Sequence, residues 1–181
     1  MSKVTLPCLF AFLMLFSACS QKVEIDYDLL ADKIVERLQN PTPKELEGMV
    51  TNPSNGHRYV LINKEMVWRE AKAYAERLGG YLATITSQEE QSWICQNFSG
   101  ARCWLGGTDE AVEGEWRWIT GEKWDYTNWN FPSEPNDFGA GEDALEMSAL
   151  LETDFGLWND LSTDTLTWTT SLLVEFDSPN D

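Results

Sequence analysis

The chain has a single histidine, His57, among its 181 residues. A Ser-His-Asp or Cys-His centre needs a suitably placed imidazole, and His57 lies far in sequence from the densest clusters of polar side chains. Cations are scarce as well. Thirteen Lys and Arg face 30 Asp and Glu, for a formal net charge of −17, which excludes the basic face that nucleic-acid binding requires. From Trp124 to Asp181 Lys and Arg are absent, while Asp and Glu number 13. The apolar run Leu6 to Ala18, behind Lys3, is shorter than the roughly 20 residues of a membrane-spanning helix and reads as the core of a signal peptide. No internal repeat or low-complexity segment is evident.

What the cation-free stretch holds is hard oxygen donors in short runs broken by Gly and Pro: Glu134-Pro135-Asn136-Asp137, then Gly141-Glu142-Asp143, then Trp158-Asn159-Asp160. Carboxylates converging in one loop region need a compensating cation. Ca²⁺ suits them, because it takes about 6–8 oxygen ligands in flexible geometry, whereas Mg²⁺ keeps more of its water. A plain solubility role for the acidity is the alternative. X-Pro bonds tolerate the cis form, and a cis bond before Pro135 would aim Glu134 and Asn136 at one point. Asn159 and Asp160 would close the shell from a following strand, with Trp158 anchored in the core.

These runs resemble the marks of the C-type lectin domain family in its mannose-type class, a Glu-Pro-Asn triplet and a Trp-Asn-Asp triplet. Trp104-Leu105-Gly106-Gly107 resembles that family's Trp-Ile-Gly-Leu strand. Trp116-Arg117-Trp118 with Asn128-Trp129 resembles its tryptophan-rich approach to the long loop. The resemblance covers about His57 to Phe176. It implies an α+β class, a C-type lectin fold of two helices with small antiparallel sheets and a long Ca²⁺-binding loop. It also implies a primary Ca²⁺ held by Glu134, Asn136, Glu142, Asn159 and Asp160, with vicinal equatorial hydroxyls of a glycan completing the coordination sphere. Glu134, Asn136, Glu142 and Asn159 would then also contact the sugar. Phe138 would either pack on a sugar face or serve the loop core. Asp109 and Glu113, with Asp137, Glu142 and Asp143, match the family's second, structural Ca²⁺ site. In that family Glu-Pro-Asn goes with mannose, N-acetylglucosamine and fucose, and Gln-Pro-Asp with galactose. The family's usual disulfides are absent: alignment of the motifs puts Ala75 and Val174 at one pair and Ala144 and Thr163 at the other. Trp116, Trp118, Trp124, Trp129 and Trp158 are expected in the core.

Phe16-Ser17-Ala18-Cys19 resembles a bacterial lipobox, although Phe16 departs from the usual aliphatic residue. The expectation is a signal peptide over 1–18 and a lipid anchor at Cys19. A stalk with a short helix and a Pro linker over 19–50 would follow, then a lectin-like domain over 51–181. Ser20 in place of Asp favours the outer membrane or cell surface; an ordinary secreted protein is the alternative. In an exported chain Cys95 and Cys103 are candidates to pair, the alternative being two buried free thiols.

Val23 to Gln39 reads as a helix with Tyr27, Leu30, Ile34 and Leu38 on one stripe. It would be a stalk, a docking helix, or a seam for a homo-oligomer. Further on, a strand is expected at 57–62, a helix over Glu65 to Leu78 stopped by Gly79-Gly80, and an extended stretch at 81–84. A capping box at Ser87-Gln88-Glu89-Glu90 would open a second helix to about Phe98. Strands are expected at 102–106, 115–118, 144–149 and 172–176. The function these readings support is non-enzymatic, Ca²⁺-dependent carbohydrate binding at the cell surface. The alternatives are a lectin-like protein-adhesion module and a glycosidase working through paired carboxylates.

Overall fold

A computed structural model of the chain describes residues 5–6, 23–24, 44–98, 101–139, 141–148, 156–164, 166, 169 and 171–179. Two compact units result, Met1–Asn40 and Pro41–Asp181. In the first, β1 (Thr5–Leu6) pairs antiparallel with β2 (Val23–Glu24), Thr5 opposite Glu24. Val23 and Glu24 were expected to begin a helix, and their pairing with Thr5 and Leu6 replaces it there. The rest of that helix, including Tyr27, Leu30, Ile34 and Leu38, lies outside the described residues, as does Cys19.

The second unit runs β3 (Val50–Thr51), β4 (Arg58–Ile62), α1 (Trp68–Arg77), β5 (Tyr81–Leu82), α2 (Gln88–Asn97) and β6 (Cys103–Thr108). Then come β7 (Arg117–Trp118), β8 (Ala144–Met147), β9 (Trp158–Leu161) and β10 (Ser171–Phe176). Among the described residues these strands form one sheet in the order β3-β4-β10-β6-β8-β9, with β5 on β10 and β7 on β6. The β10–β6 pairing is parallel and the others are antiparallel. This is the α+β arrangement the motif order implied.

Strands β6 and β10 are buried along their whole length, and alternation sorts their side chains between two cores. Leu172, Val174 and Phe176 join Trp68, Ala71 and Ala75 of α1; Leu173 joins Ile94 of α2, Leu145 and Trp158. Each such aliphatic side chain contributes about 1.5–3 kcal/mol by leaving water. Leu46 and Met49 also pack on the first core, and Tyr74 Oη donates to Glu45 at 2.6 Å. Packing therefore reaches back to residues before Thr51.

Helix α1 starts three residues later than expected, because the Trp104 indole N–H claims the Met66 carbonyl at 2.9 Å. Its first helical bond runs from Ala71 N to Val67 O. It stops as the Gly pair predicts: Gly79 takes φ of +82° and Gly80 N donates to Ala75 O at 3.1 Å. Helix α2 is capped by Ser87, whose side chain accepts from Glu90 N at 3.2 Å. The reciprocal half of the capping box is missing. The buried Glu90 carboxylate turns instead to Thr86 N and to Tyr59 Oη.

Cys95 and Cys103 are free thiols. Cys95, on α2, accepts from Gln91 Nε2 and packs so tightly on Gly156 that a Cβ there would collide with Sγ. Cys103 lies wholly buried on β6. His57 is tied into the fold: its Nδ1 bonds the buried Glu175, which also accepts from Tyr59 Oη and Thr84 N.

Candidate calcium and carbohydrate site

Among the described residues, the segment between β7 and β8 carries no helix or named strand and rests on aromatic rings. Trp118 and Trp124 meet at a tilt with 4.4 Å between centroids, Trp116 and Trp129 edge-to-face at 4.8 Å, and Trp158 meets Trp118, Trp124, Tyr126 and Trp129 at 5.6–5.9 Å. The expected tryptophans thus form the floor of the loop, with Trp118 and Trp158 buried. Backbone bonds lay the loop along β9. Trp158 N donates to Asn128 O at 2.8 Å and Asn130 N to Trp158 O at 3.0 Å. The Asn128 amide reaches Gly156 O at 2.8 Å.

From that floor the chain turns back over the end of β9. Asn130 O receives Ser133 N and Glu134 N. The Phe131–Pro132 and Glu134–Pro135 bonds are cis, the second as expected. The buried carboxylate of Asp160 then accepts Asn136 N at 3.0 Å and Asp137 N at 2.8 Å. Asn136 Nδ2 donates to Glu134 Oε2. Asp137 takes φ of +44°, and its carboxylate accepts Gly141 N and Glu142 N. Glu142 Oε2 accepts Phe138 N at 3.0 Å. Five expected residues, Glu134, Asn136, Asp137, Glu142 and Asp160, are thereby drawn together.

Asp109, Glu113 and Asp143 join them through charge. Asp109 is buried; its Oδ2 accepts Gly114 N at 2.9 Å, and its Oδ1 has no partner among the described residues. Desolvation raises the Asp109 pKa, and Asp143 and Asp160 add to it. Glu113 is raised by desolvation and then by Asp109, Asp137, Asp143 and Asp160. Asp143 is raised by burial, Asp137 and Glu110, against an opposing pull from Arg69.

The carboxyl of Glu134 is pushed up to about 7 by burial, then by its contact with Asp160 and the charges of Asp160 and Glu142, against the Asn136 amide. Such a set, with a buried Asp109 oxygen unpartnered among the described residues and a Glu134 carboxyl that burial and Asp160 keep protonated more readily than usual, fits a hard divalent cation. Among the described residues no three Asp, Glu, His or Cys side chains close around one point.

Asn159 stands apart from that group. It faces Glu146 across the β8–β9 ladder, and its Nδ2 donates to Glu146 Oε1 at 3.2 Å and to Asp160 O at 2.9 Å. Glu146 and its partner Arg102 went unremarked in the sequence. A charge between Leu145 and Met147 in an apolar strand was the available signal. Phe138 is 81% exposed, which removes the loop-core alternative, and Phe131 is 86% exposed.

The Lectin C-type domain matches residues 64–168. Halomucin from Haloquadratum walsbyi is 31% identical over 119 residues, which is 61% of this chain and 1% of that protein. The matched stretches span between 1% and 49% of the length of the curated relatives. Among solved structures, the cow C-type carbohydrate-recognition domain of CD23, in the presence of GlcNAc2Man3 oligosaccharide, superposes with a TM-score of 0.63. It is 28% identical and covers 76% of this chain and 96% of that one. A calcium-independent type II antifreeze protein superposes at 0.62, with 27% identity over 73% of this chain and 93% of that one. With 105 of its 181 residues inside the domain match and this fold around them, the chain belongs to the C-type lectin domain family.

Proposed function

We propose that this protein binds carbohydrate through Ca²⁺ held by Glu134, Asn136, Glu142, Asn159 and Asp160. Its family is one of carbohydrate-binding, non-enzymatic domains. The observation that carries the calcium reading is the folding of Asn136 N and Asp137 N onto the Asp160 carboxylate, with Asn136 Nδ2 held by Glu134, inside a segment without Lys or Arg. Bound Ca²⁺ supplies a Lewis-acidic anchor for vicinal sugar hydroxyls. The protein residues do the rest: carboxylates accept hydroxyl protons and amides donate to hydroxyl oxygens. The ligands taken are mannose-type sugars, with equatorial 3- and 4-hydroxyls, and the exposed ring of Phe138 lies beside their approach. Asp109, Glu113, Asp137, Glu142 and Asp143 would hold a second Ca²⁺ that clamps the loop without touching sugar.

Hydrolysis is the lesser reading: a glycosidase needs one carboxyl of its pair protonated, and Ca²⁺ would hold these carboxylates ionised. The protein would act at the cell surface, anchored through a lipidated Cys19.

A second reading, a lectin-like protein-binding module that uses no calcium, is favoured by the likeness to a calcium-independent antifreeze protein. The deciding experiment is a glycan array with calorimetric Ca²⁺ titration, each with and without EGTA. Ca²⁺ binding with EGTA-sensitive glycan capture supports the first reading. Absence of Ca²⁺ binding, or capture indifferent to EGTA, sinks it.

A further inference from the structure

Glu146 is fully buried in the middle of β8, opposite Asn159 on β9 and Trp104 on β6. Each of its oxygens receives two donors. Oε2 accepts Arg102 Nε at 2.7 Å and Thr169 Oγ1 at 2.6 Å; Oε1 accepts Arg102 Nη2 and Asn159 Nδ2. A carboxylate so saturated, gripped bidentately by a guanidinium, has a fixed orientation.

That orientation decides how Asn159 points. Both partners of its Nδ2, Glu146 Oε1 and Asp160 O, are acceptors only. Reversing the amide would set its carbonyl oxygen against two other oxygens. Oδ1 is therefore turned away from them, and no hydrogen bond among the described residues uses it. Stability does not require this arrangement. Buried ion pairs are commonly matched or exceeded in stability by apolar residues of the same volume, and among the described residues the buried Arg102 Nη1 has no partner.

We propose that Glu146, clamped by Arg102, is a positioning residue for the calcium site. It holds the Asn159 amide with its NH₂ inward, leaving Oδ1 as the atom available to the metal. This rests on the calcium reading above.

The test titrates Ca²⁺ into the full chain by calorimetry, without sugar, and records thermal unfolding in EGTA. The double variant Arg102→Leu with Glu146→Leu removes the ion pair as a unit. It should melt in EGTA close to the wild type and bind Ca²⁺ about 10–100-fold more weakly, the usual cost of losing a group that orients a ligand. Arg102→Leu with Glu146→Gln has the same charge but restores an acceptor for Asn159, and should return Ca²⁺ affinity to within about threefold of the wild type. Adding Asn159→Ala to the Leu pair should cost less than Asn159→Ala costs alone, because the two act on one interaction. The proposal is overturned if the Leu pair binds Ca²⁺ as the wild type does, or if the Gln version is no better than the Leu pair. One reading needs no variant. In the metal-free wild type both Asn159 side-chain amide protons should exchange slowly with water by NMR, and fast exchange overturns the proposal even if the Leu pair fails to fold. A wild type that binds no Ca²⁺ is a different result, and removes the calcium reading itself.

Discussion

Asp160 accepts the backbone N–H of Asp137 at 2.8 Å across 23 residues of chain, and this bond joins the end of β9 to the loop that crosses it. With Asn136 N on the same carboxylate, Asp160 organises the loop before any metal arrives. In EGTA, Asp160→Ala should cost about 1–3 kcal/mol in urea unfolding, since it removes two hydrogen bonds to a charged acceptor. Asp160→Asn keeps one oxygen for those N–H groups and relieves Glu134 of a like charge. It should unfold in EGTA nearly as the wild type does, yet gain little stability from Ca²⁺. If Ca²⁺ stabilises Asp160→Asn as fully as the wild type, Asp160 is not a ligand.

The raised carboxyls give a pH signature of opposite sign with and without metal. Glu134, raised by burial and by Asp160 from an ordinary 4.5 to about 7, holds a proton in the folded, metal-free protein that the unfolded chain has already lost. Its contribution to stability is present below 4.5 and is lost as pH rises through about 7. Glu175 is raised to about 7 as well, by burial, against bonds from His57 and Thr84, and acts in the same window. In EGTA the protein should therefore melt higher at pH 5 than at pH 8, and Glu134→Gln should keep the Glu175 part of that difference. Ca²⁺ reverses the trend, because it binds the deprotonated carboxylates and must displace protons below about 7. The increase in Tm from Ca²⁺ should thus be larger at pH 8 than at pH 5. Equal increases at both pH values would mean that the metal displaces no proton from Glu134.

The features legible in the sequence were those whose signal is local. Ser87 as a cap, Gly79 as a stop and the cis bond before Pro135 each depend on a few neighbouring residues, and each is found. The Glu134, Asn136 and Asp160 grouping was legible through its motif spacing. The misses involve distant partners. The start of α1 is moved by Trp104, 38 residues on, and the capping box is undone by Tyr59, 31 residues back. The role of Glu146 depends on Arg102, 44 residues earlier, and on its register opposite Asn159. No local pattern encodes those pairings.

Cys19 lies outside the described residues, and its part rests on the run Phe16-Ser17-Ala18-Cys19. Cys19→Ser should release the protein from membranes, as the lipid-modified residue is the anchor that the sequence implies. Persistence of the variant in salt-washed membranes, measured by fractionation and immunoblot, would contradict a lipoprotein.

Sugar preference should follow the hydrogen bond between Asn136 and Glu134. Asn136 Nδ2 donates to Glu134 Oε2, so the acid and the amide already form a pair. Glu134→Gln with Asn136→Asp reverses the direction of that bond: the new amide would donate and the new acid accept. Net charge and the number of oxygen donors stay constant, and Ca²⁺ should remain bound with an affinity within about tenfold. What changes is where donors and acceptors face the sugar. An acid accepts hydroxyl protons, whereas an amide NH₂ donates to hydroxyl oxygens. A mannose-type hydroxyl pair suited to the original order meets the reversed one with at least one hydrogen bond unmade. The loss is worth roughly 1.5–3 kcal/mol, or about ten- to a hundredfold in affinity. Galactose should gain only weakly, because the exposed ring of Phe138 and the turn through Gly139 and Gly141 also shape the approach. Titrations of Ca²⁺, then of mannose and galactose, into the wild type and the double variant check this. Equal mannose affinity in the two proteins, with Ca²⁺ bound to both, would mean that Glu134 and Asn136 hold the metal without reading the sugar.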